Sequence, residues 1–227
     1  TRGRRLLRDD GHSAATRREL PAQYRAIRQR WGNRQPVRGR NAAAGIHAER
    51  VVLFFGFIRD YKGLRYLIES LPQVRTKLDV HLLIAGEVWG DATSYHELIS
   101  QLGISASVTF VEGYIRNEEV ARYFAASDLV VIPYVSATQS GIVQLAYGFG
   151  KPVVVSRVGG LPEVVEEGVT GYLVPPQDSA SISNAMLDFY QRNREAEMSE
   201  AVRLRRSTFS WKRLCQTIED LAKSTEL

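Results

Sequence analysis

A single cysteine, Cys215, leaves the 227-residue chain without an internal disulfide and suits a reducing cytosol. No apolar run approaches the roughly 18 residues of a membrane-spanning helix, and a signal peptide's apolar core is not expected. The four histidines, His12, His47, His81 and His96, are scattered, and neither H-E-x-x-H nor C-x-x-C spacing occurs. Metal binding is therefore not expected. A Walker lysine motif and G-x-G-x-x-G are also missing, which argues against an NTPase and a dehydrogenase. Lysine is absent from the first 50 residues, where 13 arginines face four acids. The rest of the chain carries 17 bases and 21 acids, so the net charge of +5 belongs to the leader.

Residues 1–50 show no sustained periodicity apart from a short helical pattern around Leu20 to Trp31. Arginine-rich and poor in large apolar residues, they are expected to be poorly ordered, because little burial offsets the ordering entropy. A basic arm for an anionic membrane is the functional alternative; nucleic acid is not expected, since Tyr24 and Trp31 are the only interleaved aromatics.

From Val51 the pattern is regular. Strands are expected at Val51–Phe57, Val80–Ala85, Val108–Val111, Leu129–Pro133 and Pro152–Val155. Between them lie helical stretches at Gly63–Lys77, Thr93–Leu102 and Asn117–Ala126, an apolar helix after Gly141, and one capped by Asp178 that runs to about Arg194. Ser210 is placed to cap a closing helix with Leu214, Ile218 and Leu221 on one face. Alternating strands and helices imply crossover connections. The expected fold is α/β, a Rossmann-like doubly wound parallel sheet of about six strands spanning residues 51–227 with a C-terminal helical tail.

Three ordered motifs follow. They are Gly150-Lys151-Pro152-Val153-Val154, Gly159-Gly160-Leu161-Pro162-Glu163 and Gly168-Val169-Thr170-Gly171-Tyr172-Leu173-Val174. With the Phe209-Ser210-Trp211 closing segment, they resemble the nucleotide-sugar half of a retaining GT-B glycosyltransferase of group 1. The resemblance implies glycosyl transfer from a nucleoside diphosphate sugar, used as co-substrate with no further cofactor, in cell-surface polysaccharide or glycolipid synthesis. It also implies a cytoplasmic protein, with the inner membrane face as a site of peripheral contact. The acceptor would bind a partner N-terminal domain, for which the leader has no βα pattern. The chain is therefore expected to be truncated or to need a partner chain. A non-catalytic nucleotide-sugar-binding subunit is the alternative.

The stretch Gly56 to Gly63 is similar to the family's G-R-L-x-x-x-K-G loop, which supplies an arginine and a lysine to the departing diphosphate. Lys62 falls on the lysine position, while Phe57 stands at the arginine position and Arg59 is the displaced substitute. The family's two glutamates would fall on Ala137 and Leu145, and neither is acidic. Thr138, Gln139, Ser140 and Gln144 are the polar replacements, with Gln139 taken as catalytic beside Arg59 and Lys62. Gly56, Gly86, Glu87, Gly141, Gly159 and Gly160 complete the expected donor site. Tyr114 either stacks on a base or packs in its turn, and Glu163 either binds ligand or complements a helix dipole.

Overall fold

The computed structural model describes residues 50–206. The helical pattern around Leu20 to Trp31 and the closing segment from Thr208 lie outside the described residues. Among the described residues, six strands and seven α-helices follow in βα order up to two closing helices: β1 (Arg50–Phe55), α1 (Leu64–Arg75), β2 (Val80–Gly86), α2 (Thr93–Gln101), β3 (Val108–Glu112), α3 (Asn117–Ala126) and β4 (Leu129–Ile132). There follow α4 (Gly141–Gly148), β5 (Val153–Ser156), α5 (Leu161–Val164), β6 (Gly171–Val174), α6 (Ser179–Gln191) and α7 (Glu195–Arg206).

All neighbouring strands are parallel, in the order β3-β2-β1-β4-β5-β6. The strands consist mostly of Val, Ile, Leu and Phe because both faces are covered, as expected for a doubly wound sheet. Val52, Phe54, Leu82, Ile84 and Val131 pack into one cluster with Leu64, Leu67, Ile68 and Leu71 of α1 and with Met186 and Phe189 of α6. On the other face Phe55 meets the rings of Tyr123 and Phe124 in α3 at 6.0 and 5.2 Å. Each fully buried aliphatic or aromatic side chain contributes about 1.5–3 kcal/mol. This two-sided burial therefore outweighs any local propensity in fixing the sheet.

The helices follow their sequence signals. In α1 the buried residues Leu64, Leu67, Ile68, Leu71 and Val74 repeat at helical spacing. Asp178 caps α6 by accepting from the Ser181 N–H at 2.9 Å. Pro162 lies in the first turn of α5, where a missing N–H costs nothing. His81 is buried in β2, its Nε2 2.8 Å from the Thr109 hydroxyl. β1 is shorter than its apolar run, because Gly56 adopts φ 106° and turns the chain before Phe57.

The chain moves outward from β1 through β2 to β3 and then returns to place β4 on the other side of β1. That reversal opens a crevice at the carboxyl ends of β1 and β4, the place where open α/β sheets bind ligands.

Candidate functional site

The loops after β1 and β4 meet at this reversal. Beyond Gly56, the fully buried Ile58 donates its N–H to the Glu87 carbonyl at 2.8 Å and accepts from the Trp89 N–H at 2.9 Å. The pairing of β1 with β2 thus continues past both strands, so one loop holds the other. A 3-10 turn over Asp60–Lys62 follows, closed by the Gly63 N–H on the Asp60 carbonyl at 3.0 Å. Gly63 (φ 66°) lies so close to the Pro133 carbonyl that a Cβ would collide with it. The Val135 N–H donates to the Tyr61 carbonyl at 2.7 Å, which ties the two loops together.

This turn buries Lys62, which is only 8% exposed. Its Nζ lies 5.3 Å from the centre of the Tyr134 ring, and a Cβ on Gly56 would come within 3.8 Å of it. Lys62 makes no ion pair among the described residues. Burial lowers the pKa of its ammonium, and the charge of Arg59 lowers it further. A buried cation without a counter-ion is costly to the fold, so the position favours an incoming anion.

Tyr134 leads from Lys62 to the head of α4. Its hydroxyl accepts from Ser140 Oγ at 3.4 Å, and burial raises its pKa against that hydrogen bond. Ser140 Oγ also accepts from the Ile142 N–H at 3.2 Å and so caps α4. Ile142 in turn lies against Gly56, and Gly141 is exposed with open space where a Cβ would stand. The first turn of α4 therefore opens beside the Gly56 to Lys62 loop.

The paired glycines join from the next loop. The Gly160 N–H donates to the Thr138 carbonyl at 2.8 Å. A Cβ on Gly159 would strike the Ala137 carbonyl, and one on Gly160 would strike the Gln139 amide. Both glycines thus let the loop after β5 support the exposed Thr138 and Gln139 from below. Gly86, at the end of the strand beside β1, allows a close approach of its own, since a Cβ there would strike the Gly56 carbonyl.

The structure therefore joins Gly56, Lys62 and Ser140 through Tyr134 and Ile142, and sets Thr138 and Gln139 against Gly159 and Gly160, with Gly141 exposed at the head of α4 and Gly86 against Gly56. Arg59 stands beside them with its guanidinium on Trp89 rather than on a carboxylate. Glu87 contributes its carbonyl to the loop pairing. Tyr114, 67% exposed, occupies the turn after β3, while Gln144 and Glu163 are exposed on α4 and in the first turn of α5. None of these three joins the hydrogen bonds that link the loops. Tyr134 and Trp89 were not expected at the site. The Pro133-Tyr134 pair directly after an apolar strand was the available signal for one, and a tryptophan just past Gly86 for the other.

Among the described residues, no cluster of three or more His, Cys, Asp or Glu side chains could hold a metal. No helix among them is long and apolar enough to cross a membrane.

Residues 49–192 match the family described as glycosyl transferases group 1. An uncharacterized glycosyltransferase of Methanocaldococcus jannaschii is 39% identical over 137 residues, covering 60% of this chain and 34% of that protein. The D-inositol 3-phosphate glycosyltransferase of Mycobacterium marinum is 33% identical over 188 residues, covering 79% of this chain and 39% of that protein. The chain thus spans well under half the length of these curated relatives. Among solved structures, Anabaena HepE in complex with UDP and glucose superposes with a TM-score of 0.69 at 24% identity, over 91% of this chain and 53% of that one. The chain belongs to the group 1 glycosyltransferases, and its described residues form a Rossmann-like half of the GT-B fold.

Proposed function

We propose that this unit is the donor-binding half of a retaining glycosyltransferase and holds the diphosphate of a nucleotide sugar in the crevice between β1 and β4. One observation carries the reading: Lys62 is a buried cation with no counter-ion among the described residues, placed where the sheet reverses. When the bond from the anomeric carbon to the diphosphate breaks, negative charge builds on the leaving oxygen, and a preorganised cation lowers that barrier. Lys62 is the group held in place for this, with Arg59 beside it. The first turn of α4 adds N–H groups and the positive end of a helix dipole. Thr138 and Gln139 face the sugar, where an amide both donates to and accepts from hydroxyls. The acceptor comes from a second half, on the same polypeptide or a partner chain, and proximity across the cleft completes catalysis.

A second reading draws on Ala137 and Leu145, which leave the site without the two carboxylates that the family resemblance implies. On that reading the unit binds a nucleotide sugar without transferring it.

Calorimetric titration of the purified chain with UDP, GDP, ADP and their sugars tests both. Saturable binding of one diphosphate, lost or weakened in Lys62→Ala, supports the donor site. Absence of binding to the folded chain removes it. Sugar transfer by the chain with its acceptor half separates the enzyme from the binding subunit.

A further inference from the structure

Three side chains on adjoining loops make a stack at the edge of the crevice. Arg59 lies in extended backbone (φ −138°, ψ 155°), so Phe57 and Arg59 project to one side of the loop while Ile58 between them is buried. Both meet Trp89. The Phe57 ring stands edge-on to the indole at 5.6 Å and 75°, and the Arg59 guanidinium lies over it, 3.8 Å from the ring centre. The Val88 bridge to Ile58 and the Trp89 N–H bond to the Ile58 carbonyl fix the register of this contact.

The stack accounts poorly for stability on its own. Trp89 remains 55% exposed and Phe57 44% exposed, so little apolar surface is covered. Arg59 Nε is meanwhile shut away from solvent with no hydrogen-bond partner among the described residues. Stacking one face of a guanidinium leaves its two terminal Nη groups, at the end away from the buried Nε, to make planar, paired hydrogen bonds to phosphate oxygens. The arrangement thus holds a cation in one orientation, near Lys62, without giving it an acceptor.

We propose that Trp89 is a positioning residue, which by stacking on Arg59 orients the guanidinium toward the diphosphate held beside Lys62. This rests on the donor-site reading given above. Trp89 touches no substrate atom in this scheme and acts through Arg59 alone.

A double-mutant cycle on the full chain tests it, with calorimetric affinities for UDP, GDP and ADP and circular dichroism to verify folding. Trp89→Ala weakens binding of the preferred diphosphate about threefold to tenfold, the range expected when one cation–π restraint is lost. Trp89→Phe, which keeps an aromatic face, restores most of the affinity. In an Arg59→Ala background, Trp89→Ala has no further effect. Equal loss from Trp89→Ala with and without Arg59 would overturn the assignment, as would unchanged affinity in Trp89→Ala. If the folded wild-type chain binds none of the three nucleotides, the donor-site reading itself fails and the assignment falls with it.

Discussion

Gly63 rests directly on the carbonyl of Pro133, at the point where the two directions of the sheet part. No side chain fits between them, and the left-handed backbone at Gly63 (φ 66°) independently favours glycine. Gly63→Ala must shift one loop relative to the other, and a loss of about 2–4 kcal/mol is expected from strain and collision together. Urea denaturation measures it. A loss within about 0.5 kcal/mol, the range of an ordinary surface substitution, would show that the loops are not locked.

Ser140 has a structural duty that can be separated from ligand binding. Its hydroxyl caps α4, so Ser140→Ala is expected to cost about 1 kcal/mol. Ser140→Asp keeps a capping oxygen but adds negative charge beside the proposed diphosphate. Stability close to wild type with weakened nucleotide binding is the expected pair of results, read by denaturation and calorimetry. Unchanged binding in Ser140→Asp would place the diphosphate away from this turn.

Lys62 links the site to pH. Its folded pKa lies below its unfolded value, so between the two the unfolded chain holds the extra proton. Stability therefore rises with pH from the depressed folded value up to the ordinary lysine value of 10.5, and Lys62 contributes no slope outside that window. Lys62→Met should remove this rise, as denaturation curves across the window would show. The same proton matters to the ligand: diphosphate affinity falls as pH climbs through the folded pKa, because the neutral amine loses its attraction. Lys62→Ala is expected to weaken binding about tenfold to a hundredfold, the worth of one hydrogen bond to a charged group.

The paired glycines predict a sugar-specific defect. Gly160→Ala pushes on the Gln139 amide and leaves Lys62 untouched. Affinity for the nucleotide sugar should fall toward that of the free nucleoside diphosphate, while affinity for the latter holds. Equal losses for both ligands, measured by calorimetry, would mean that Gln139 does not face the sugar.

Much of the fold was legible because its signals are local. Apolar β-branched runs marked the strands, helical spacing marked α1, and Asp178, Pro162 and the paired glycines marked helix starts. The helix Glu195–Arg206 was not foreseen, since among its described side chains only Met198, Ser199 and Val202 are buried. That stripe is too thin to stand out from a charged surface. The resemblance of its loop to the family pattern was enough to single out Lys62 as a candidate. Its lack of an ion pair among the described residues was not legible, because that depends on which loops the topology brings together. Trp89 was overlooked for the same reason: its partners Arg59 and Phe57 lie 30 and 32 residues back in the chain, and only the continued pairing of two loops makes them neighbours.

The most direct test of the central claim is a crystal structure of the chain with UDP-glucose, or with whichever nucleotide sugar binds best in solution. The account predicts a phosphate oxygen within hydrogen-bond distance of Lys62 Nζ, at about 2.7–2.9 Å, with the first turn of α4 beside the diphosphate. A nucleotide bound elsewhere on the domain, or a diphosphate in the crevice that leaves Lys62 without contact, would contradict it.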